Sequence, residues 1–137
     1  MQQMGRESEG AMAGEAKRPT DRQRLGARGE QMAADALKRA GYRILTPDAR
    51  QKSGQIDLIA EEGGDIVFIE VKTRRSTAYG LPAEAVHAAK QRHLIAAAQE
   101  YLEANNQLDR SWRIDVVSIL LTQGPPRLEI IKHAVEG

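Results

Sequence analysis

The sequence has no cysteine, few aromatic residues and no long apolar run, and each absence excludes a class of protein. Without cysteine, the chain has no disulfide framework, no thiolate metal site and no cysteine nucleophile. Aromatic residues make up 4% of the chain, which gives little support for stacking bases on an aromatic platform. No apolar run approaches the roughly 20 residues that a transmembrane helix needs, and the N-terminus lacks the apolar segment of a secretory signal. We therefore expect a cytoplasmic protein without a membrane partner.

The charge is close to balanced. The chain of 137 residues has a net charge of +1, so any contact with nucleic acid must come from a local basic patch. A hydrophobic fraction of 41% at this length suffices for one compact core. Residues 1–20 mix polar and small side chains without periodicity, which predicts a disordered tail and leaves residues 21–137 as a single domain.

The hydrophobic periodicity predicts an α/β fold. Thr20 and Gln23 form the pattern of a capping box, which predicts a helix from residue 21 to about Ala40. A short strand (42–45), a polar loop (47–54) and a strand hairpin (54–72) follow. After them come a second loop (73–82), a second helix (83–104) and two more strands (113–121 and 127–131). The order αβββαββ predicts a mixed sheet flanked by helices, with a crossover through the second helix.

The predicted hairpin carries charged residues where a buried strand would be apolar. Asp57 lies within the apolar stretch 54–59, and Glu70 and Lys72 follow the apolar stretch 66–69. Ionised carboxylates are costly to bury without a partner, and side chains alternate between the two faces of a strand. A four-residue turn would place Asp57 on the face of Glu70 and Lys72. That arrangement is typical of a site that holds a divalent cation beside a phosphate, and the alternative is a hairpin edge stabilised by ion pairs.

Three further groups of charged residues have two interpretations each. Glu30 borders the apolar stripe of the first helix, so it either reaches the hairpin acids or lies on a solvated flank. The basic residues near the hairpin either contact backbone phosphates or are simply solvated. They are Arg74, Arg75, Arg50 and Lys52. Asp115 interrupts the apolar strand 113–121, and we expect it to pair with Arg113 or to cap a loop.

Several motifs together resemble the YraN family of bacterial proteins. They lie in order along the chain, at residues 26–30, 55–59, 68–74, 79–80, 82–86 and 113–117. The resemblance covers about residues 25–133. The YraN family in turn resembles the PD-(D/E)-x-K nuclease superfamily, which includes restriction endonucleases, archaeal Holliday-junction resolvases and the tRNA-endonuclease-like fold.

The resemblance implies a restriction-endonuclease-like sheet and a role for each acidic residue. Asp57 and Glu70 would be metal ligands, Lys72 the catalytic lysine and Glu30 an acid supplied by the helix. Mg²⁺ or Mn²⁺ would be the cofactor, because hard cations prefer oxygen ligands. The partner would be nucleic acid, with DNA expected, and resolvase-like relatives suggest a homodimer.

The chain departs from the family at Gln55. The family usually has Glu-Ile-Asp where residues 55–57 read Gln-Ile-Asp. If the missing carboxylate is a ligand, this chain binds metal more weakly or does not cleave. The leading interpretation is a metal-dependent nuclease. The alternatives are a nucleic-acid-binding module on a nuclease fold, and a structural or adaptor protein.

Overall fold

The computed structural model describes residues 18–75 and 88–135, which form a five-stranded mixed sheet with helices packed on it. The described elements are α1 (Asp21–Arg39), β1 (Arg43–Gln51), β2 (Gly54–Glu62), β3 (Asp65–Arg74), α2 (Ala88–Ala104), β4 (Trp112–Leu120) and β5 (Arg127–Val135). This confirms the α/β class and the order αβββαββ. The capping box is also confirmed, since the Thr20 hydroxyl accepts from the Gln23 N–H at 3.0 Å and the Gln23 side chain accepts from the Thr20 N–H at 2.8 Å.

The strands lie side by side in chain order, β1-β2-β3-β4-β5. The neighbours are antiparallel except for β3 and β4, which are parallel and form the longest ladder, from Ile66 opposite Trp112 to Arg74 opposite Leu120. A parallel pair needs a crossover connection, and α2 lies within it. The carboxyl ends of β1, β3 and β4 therefore meet the amino end of β2 at one end of the sheet.

Two apolar layers hold the helices to the sheet, because successive strand residues face opposite sides. Along β3, Val67 and Ile69 pack with the α1 layer, whereas Ile66 and Phe68 pack with the α2 layer. The α1 layer includes Ala33 and Leu37, and the α2 layer includes Leu94, Ala97, Ala98 and Leu102. Both layers are buried, so apolar burial on both faces of the sheet stabilises the fold.

The first strand is longer than the sequence predicts, and the predicted polar loop over residues 47–54 is wrong. β1 continues to Gln51, with Pro47 opposite Leu58 and a register shift between Ile44 and Thr46. β1 is an edge strand, where proline is tolerated because one side of the strand makes no ladder hydrogen bonds. Its polar residues therefore resemble those of a loop although the backbone pairs with β2.

The hairpin turn is shorter than predicted. Glu62 lies opposite Asp65, so the loop consists of Gly63 and Gly64. Their φ angles of 63° and 88° lie in the left-handed region, which glycine adopts readily. Consecutive positive φ values are typical of the type I′ turn that matches the twist of a hairpin. A four-residue turn would differ only in leaving Glu62 and Asp65 unpaired. The same strand residues therefore lie opposite one another in both cases.

Smaller differences concern the other element ends. β4 begins at Trp112, and β5 continues to Val135 beyond the predicted end at residue 131. α2 ends at Ala104 as predicted, and the predicted helical residues 83–87 lie outside the described residues. Most of the predicted disordered tail also lies outside them, so the division at residue 20 stays a prediction. No helix in the described ranges has both the length and the apolar character to cross a membrane.

A buried ionic network occupies the end of the sheet that carries the β2–β3 turn. Asp115 is fully buried and accepts hydrogen bonds from the Tyr42 hydroxyl at 2.7 Å, Arg113 Nε at 3.0 Å and the His133 N–H at 3.0 Å. Arg113 also contacts Asp65 at 2.9 Å. Burial and the hydrogen bond to Asp115 raise the pKa of Tyr42. The predicted pairing of Asp115 with Arg113 is confirmed, and this network belongs to the structural core.

Candidate functional site

The candidate site begins where the regular pairing of β2 and β3 ends. The last paired residues are Leu58 and Ile69, and Asp57 and Glu70 are the next residue on each strand. Ile56 packs in the same layer as Ile59, although strict alternation would place it in the other one. The Val71 N–H donates to Asp57 Oδ2 at 2.8 Å. The Asp57 carboxylate is therefore held against the backbone of β3, beside Glu70.

The carboxyl groups of Asp57 and Glu70 form a pair in which Glu70 is buried and Asp57 is half-buried. Glu70 is 6% exposed, and burial together with the charge of Asp57 raises the pKa of Glu70 to about 7. Burial also raises the pKa of Asp57, while the hydrogen bonds from the Val71 N–H and from a protonated Glu70 lower it. The structure thus brings these two predicted residues within hydrogen-bonding reach of each other. Two carboxyl groups this close resist simultaneous ionisation, which is common in functional sites.

Two lysines act on Glu70 from different elements. Lys90 Nζ in α2 lies 3.5 Å from Glu70 Oε2, whereas Lys72 is exposed and lowers the pKa of Glu70 by charge alone. Sequence reasoning singled out Lys72 and missed Lys90. A signal was present, because Lys90 lies four residues before the buried Leu94 and therefore on the apolar stripe of the helix. A cation at that position can reach an acid buried in the sheet.

Two further acids, Glu30 and Asp48, lie near Asp57. Glu30 lies within hydrogen-bonding reach of Asp57, and burial followed by the charges of Asp57 and Asp48 raises the pKa of Glu30. Sequence reasoning missed Asp48 because it lay in the predicted loop. It is in β1 with a φ of 56°, and the Gln55 side-chain amide donates a hydrogen bond to it. Gln55 therefore lies at the border of the acidic group.

The acids meet in pairs and not around one point. Asp57 lies within hydrogen-bonding reach of Glu70 and of Glu30, but nowhere in residues 18–75 and 88–135 do three acidic or histidine side chains converge as a metal-binding group. The Asp57–Glu70 pair nevertheless offers two carboxyl groups, whose oxygens are the ligands that a hard divalent cation prefers. Glu30 is the least supported of the predicted ligands.

The predicted basic residues lie in two places. Arg74 and Arg75 directly follow the site at the end of β3, where the Arg74 carbonyl accepts from the Leu121 N–H at 2.8 Å. Arg50 and Lys52 instead line a cleft of about 570 Å³ that also contains Glu100 and Glu103. Hydrogen bonds from Ser53 and the charge of Lys52 lower the pKa of Glu100. The cleft carries charges of both signs, and the acids of the site do not line it.

A close contact between α1 and β3 places Glu30 beside Asp57. A Cβ atom on Gly29 would lie 1.8 Å from Thr73 Oγ1 and 2.9 Å from Thr73 Cβ. Gly29→Ala would therefore separate the helix from the strand, and we expect it to lower the free energy of unfolding by about 1–3 kcal/mol. Urea denaturation measures this effect.

Gly26→Ala is the matched control for Gly29→Ala. Gly26 lies in the same helix and a Cβ atom there would meet nothing within 4 Å. Alanine has the higher helix propensity, so Gly26→Ala should leave the stability unchanged or raise it by up to about 1 kcal/mol. Equal effects of the two substitutions would show that the contact with Thr73 does not limit the packing of α1.

Comparison with known proteins places the chain in a family. The chain matches the family described as "Uncharacterised protein family UPF0102" over residues 29–119. A UPF0102 protein of Dehalococcoides mccartyi is 44% identical over 115 residues, which are 84% of this chain and 95% of the relative. A UPF0102 protein of Symbiobacterium thermophilum is 51% identical over 96 residues, 70% of this chain and 81% of the relative.

The chain belongs to family UPF0102. A third relative, the UPF0102 protein of Geobacter sulfurreducens, is 43% identical over 113 residues, 82% of this chain and 88% of the relative. UPF0102 is the YraN family, so the family predicted from the motifs is confirmed. The match to UPF0102 begins at Gly29, at the contact between α1 and β3, and includes Asp57, Glu70, Lys72 and Lys90. It ends in β4, so β5 lies outside the matched region.

Proposed function

We propose that this UPF0102 protein is a metal-dependent endonuclease that hydrolyses phosphodiester bonds of nucleic acid, with DNA as the expected substrate. The observation that supports the proposal is the Asp57–Glu70 pair, in which Glu70 is buried; it lies where strand pairing ends and is flanked by Lys72 and Lys90. Strongly shifted carboxyl groups with charged neighbours are typical of catalytic sites.

Asp115 in the same sheet shows that this fold can bury a carboxylate with full compensation. Asp115 has a guanidinium, a hydroxyl and a backbone N–H as donors. Glu70, by contrast, has one ammonium at 3.5 Å and a second carboxyl group beside it. The Asp57–Glu70 pair is therefore less stable as an isolated structural feature than the network around Asp115. A cation would supply the charge that the pair lacks, which favours a role in binding.

Each residue of the site has a chemical role in the proposed reaction. A bound Mg²⁺ or Mn²⁺ supplies Lewis acidity towards a phosphoryl oxygen and acidifies a water molecule. Asp57 and Glu70 would hold the ion. Lys72, which is exposed at the mouth of the site, would bind a non-bridging phosphate oxygen and stabilise the charge that develops on it. Arg74 and Arg75 would contact neighbouring phosphates.

Nuclease assays with Mn²⁺ and Mg²⁺ test the proposal. Supercoiled DNA, a four-way DNA junction and a structured RNA are the substrates. We expect cleavage by the wild type and a loss of about 10²–10³-fold in Asp57→Asn, Glu70→Gln and Lys72→Gln. Glu103→Gln is the control, because Glu103 is exposed and lies outside the site. Cleavage that persists in all three site variants, or no cleavage of any substrate, would contradict the proposal.

A nucleic-acid-binding module without cleavage is the second candidate, favoured by Gln55 in place of the family's usual glutamate. Arg74→Ala combined with Arg75→Ala should then weaken DNA binding and reduce the slope of log K against log salt by about 0.9 per lost phosphate contact. Fluorescence anisotropy over a range of salt concentrations measures the slope. Binding without cleavage would identify the module, and no binding at any salt concentration would favour the adaptor interpretation.

Gln55→Glu is expected to tighten Mn²⁺ binding. The substitution adds a carboxylate next to Asp48 and removes the amide that donates to it, so the variant should be slightly less stable without metal. Added Mn²⁺ should raise its melting temperature more than that of the wild type, because a ligand that binds only the native state stabilises it. Calorimetric titration and thermal melts measure both effects. Equal Mn²⁺ affinity in the two proteins would show that residue 55 does not contribute to ion binding.

A further inference from the structure

We propose that Lys90 is the resident counter-ion of the Asp57–Glu70 pair, and that a divalent cation binds by displacing it. The proposal deepens the proposed function, because it concerns how the same site accepts its metal. It rests on the contact between Lys90 Nζ and Glu70 Oε2, at 3.5 Å, and on the placement of Lys90 on a different element from the acids.

The charges around Glu70 favour an exchange. When both acids are ionised, the pair carries two negative charges and Lys90 offsets one of them. A divalent cation that binds between the carboxylates offsets both, after which the ammonium and the ion repel each other. Lys72 also acts on Glu70, but it does so without an ion pair. Lys90 is therefore the cation that must move.

The position of Lys90 allows that movement. Its side chain is 39% exposed, whereas the side chain of Glu70 is 8% exposed. The ammonium is attached to a flexible four-carbon chain, so it can turn towards solvent while the carboxylate stays in place. Lys90 lies in the first turn of α2. Displacement therefore needs a change of side-chain rotamer and no change in the fold.

Lys90 is a positioning residue in this proposal, because it acts on the metal through Glu70. In the metal-free protein its charge favours the ionised form of Glu70, and the contact at 3.5 Å orients the carboxylate. Once displaced, its ammonium would be available to a phosphate of a bound nucleic acid. Removing Lys90 should therefore strengthen binding of the metal and weaken binding of the polyanion, a combination that loss of an ordinary structural residue does not produce.

Calorimetric titration with Mn²⁺ tests the exchange. We expect Lys90→Gln to bind Mn²⁺ about three- to tenfold more tightly than the wild type at pH 8, since the energy of one partly exposed ion pair no longer opposes the metal. Arg92→Gln is the matched control, because it removes one positive charge from an exposed position on the same helix. Lys72→Gln is a second control and should change the affinity less than Lys90→Gln does.

A double-mutant cycle tests the ion pair without metal. Lys90→Gln should lower the melting temperature of the metal-free wild type at pH 8 more than that of Glu70→Gln, because in that background Lys90 has lost its ion pair and acts only on the charge of Asp57. An equal decrease in both backgrounds would overturn the ion pair. Unchanged or weaker Mn²⁺ binding in Lys90→Gln would overturn the exchange. Tighter Mn²⁺ binding without cleavage of any nucleic acid would support the exchange and contradict the proposed nuclease activity.

Discussion

Arg113→Ala is expected to lower the free energy of unfolding by about 3–5 kcal/mol, because it leaves a buried carboxylate without its cation. Asp115 is fully buried, and the guanidinium of Arg113 is its positive partner. The same guanidinium joins Asp65 and Glu62 of the β2–β3 hairpin to β4. The substitution therefore disrupts the pairing of three charges as well as the contact between two strands. Stability of a domain of this size is itself of the order of 5–15 kcal/mol, so the effect is large.

Urea denaturation of the wild type and Arg113→Ala measures this loss. Arg110→Ala is the control, because Arg110 also contacts an acid of the hairpin, Glu61 at 3.3 Å, but is far more exposed. Exposed ion pairs contribute about 0–1 kcal/mol. A loss below about 1 kcal/mol in Arg113→Ala would contradict the assignment of the network to the structural core.

Glu70→Gln is expected to stabilise the metal-free protein at pH 8 while lowering the proposed metal-dependent cleavage by about 10²–10³-fold. The pKa of Glu70 is raised from 4.5 to about 7, chiefly by burial and then by Asp57. The native state therefore holds a proton that the unfolded state releases between these pH values. The resulting stability is fully present below about pH 4.5 and is lost as the pH rises through 7. The free energy of unfolding falls by about 3 kcal/mol over this range, because one pKa unit corresponds to about 1.4 kcal/mol. A glutamine has no proton to lose, so Glu70→Gln avoids this loss.

Thermal and urea unfolding between pH 5 and pH 8 measure this dependence. The wild type should lose stability over that range, Glu70→Gln should lose less, and the two should differ most at pH 8. The raised pKa of Asp57 acts in the same direction in the wild type. Mn²⁺ should recover stability at pH 8 in the wild type only. Glu103→Gln is the control for removal of an exposed carboxylate, and equal pH profiles for the wild type and Glu70→Gln would contradict a buried acidic pair.

Local patterns in the sequence predicted most of the helices and strands. The capping box at Thr20, the apolar stripes of the helices and the alternation around the β2–β3 hairpin all depend on residues close in the chain. The same hairpin predicted that Asp57 and Glu70 would meet, because two neighbouring antiparallel strands fix which residues lie opposite one another. The family followed from motifs in the same way.

The polar character of an edge strand limited the prediction of β1. Residues such as Pro47 and Asp48 occur in loops, and only their pairing with β2 makes them a strand. Asp48 therefore remained outside the predicted site although it approaches Asp57 and Glu30. The propensity of a residue for strand or loop is a weak local preference, and hydrogen bonding to a neighbouring strand overrides it.

The sequence by itself determined the class of fold, the acidic hairpin and the family, because each depends on periodicity or spacing within a short stretch. Only the tertiary structure decided which distant charges meet. Lys90 contacts Glu70 and Tyr42 contacts Asp115 across long separations in the chain, and the packing of helices on the sheet brings these groups together. Their pKa shifts also follow from burial, which is a property of the folded molecule and not of any segment.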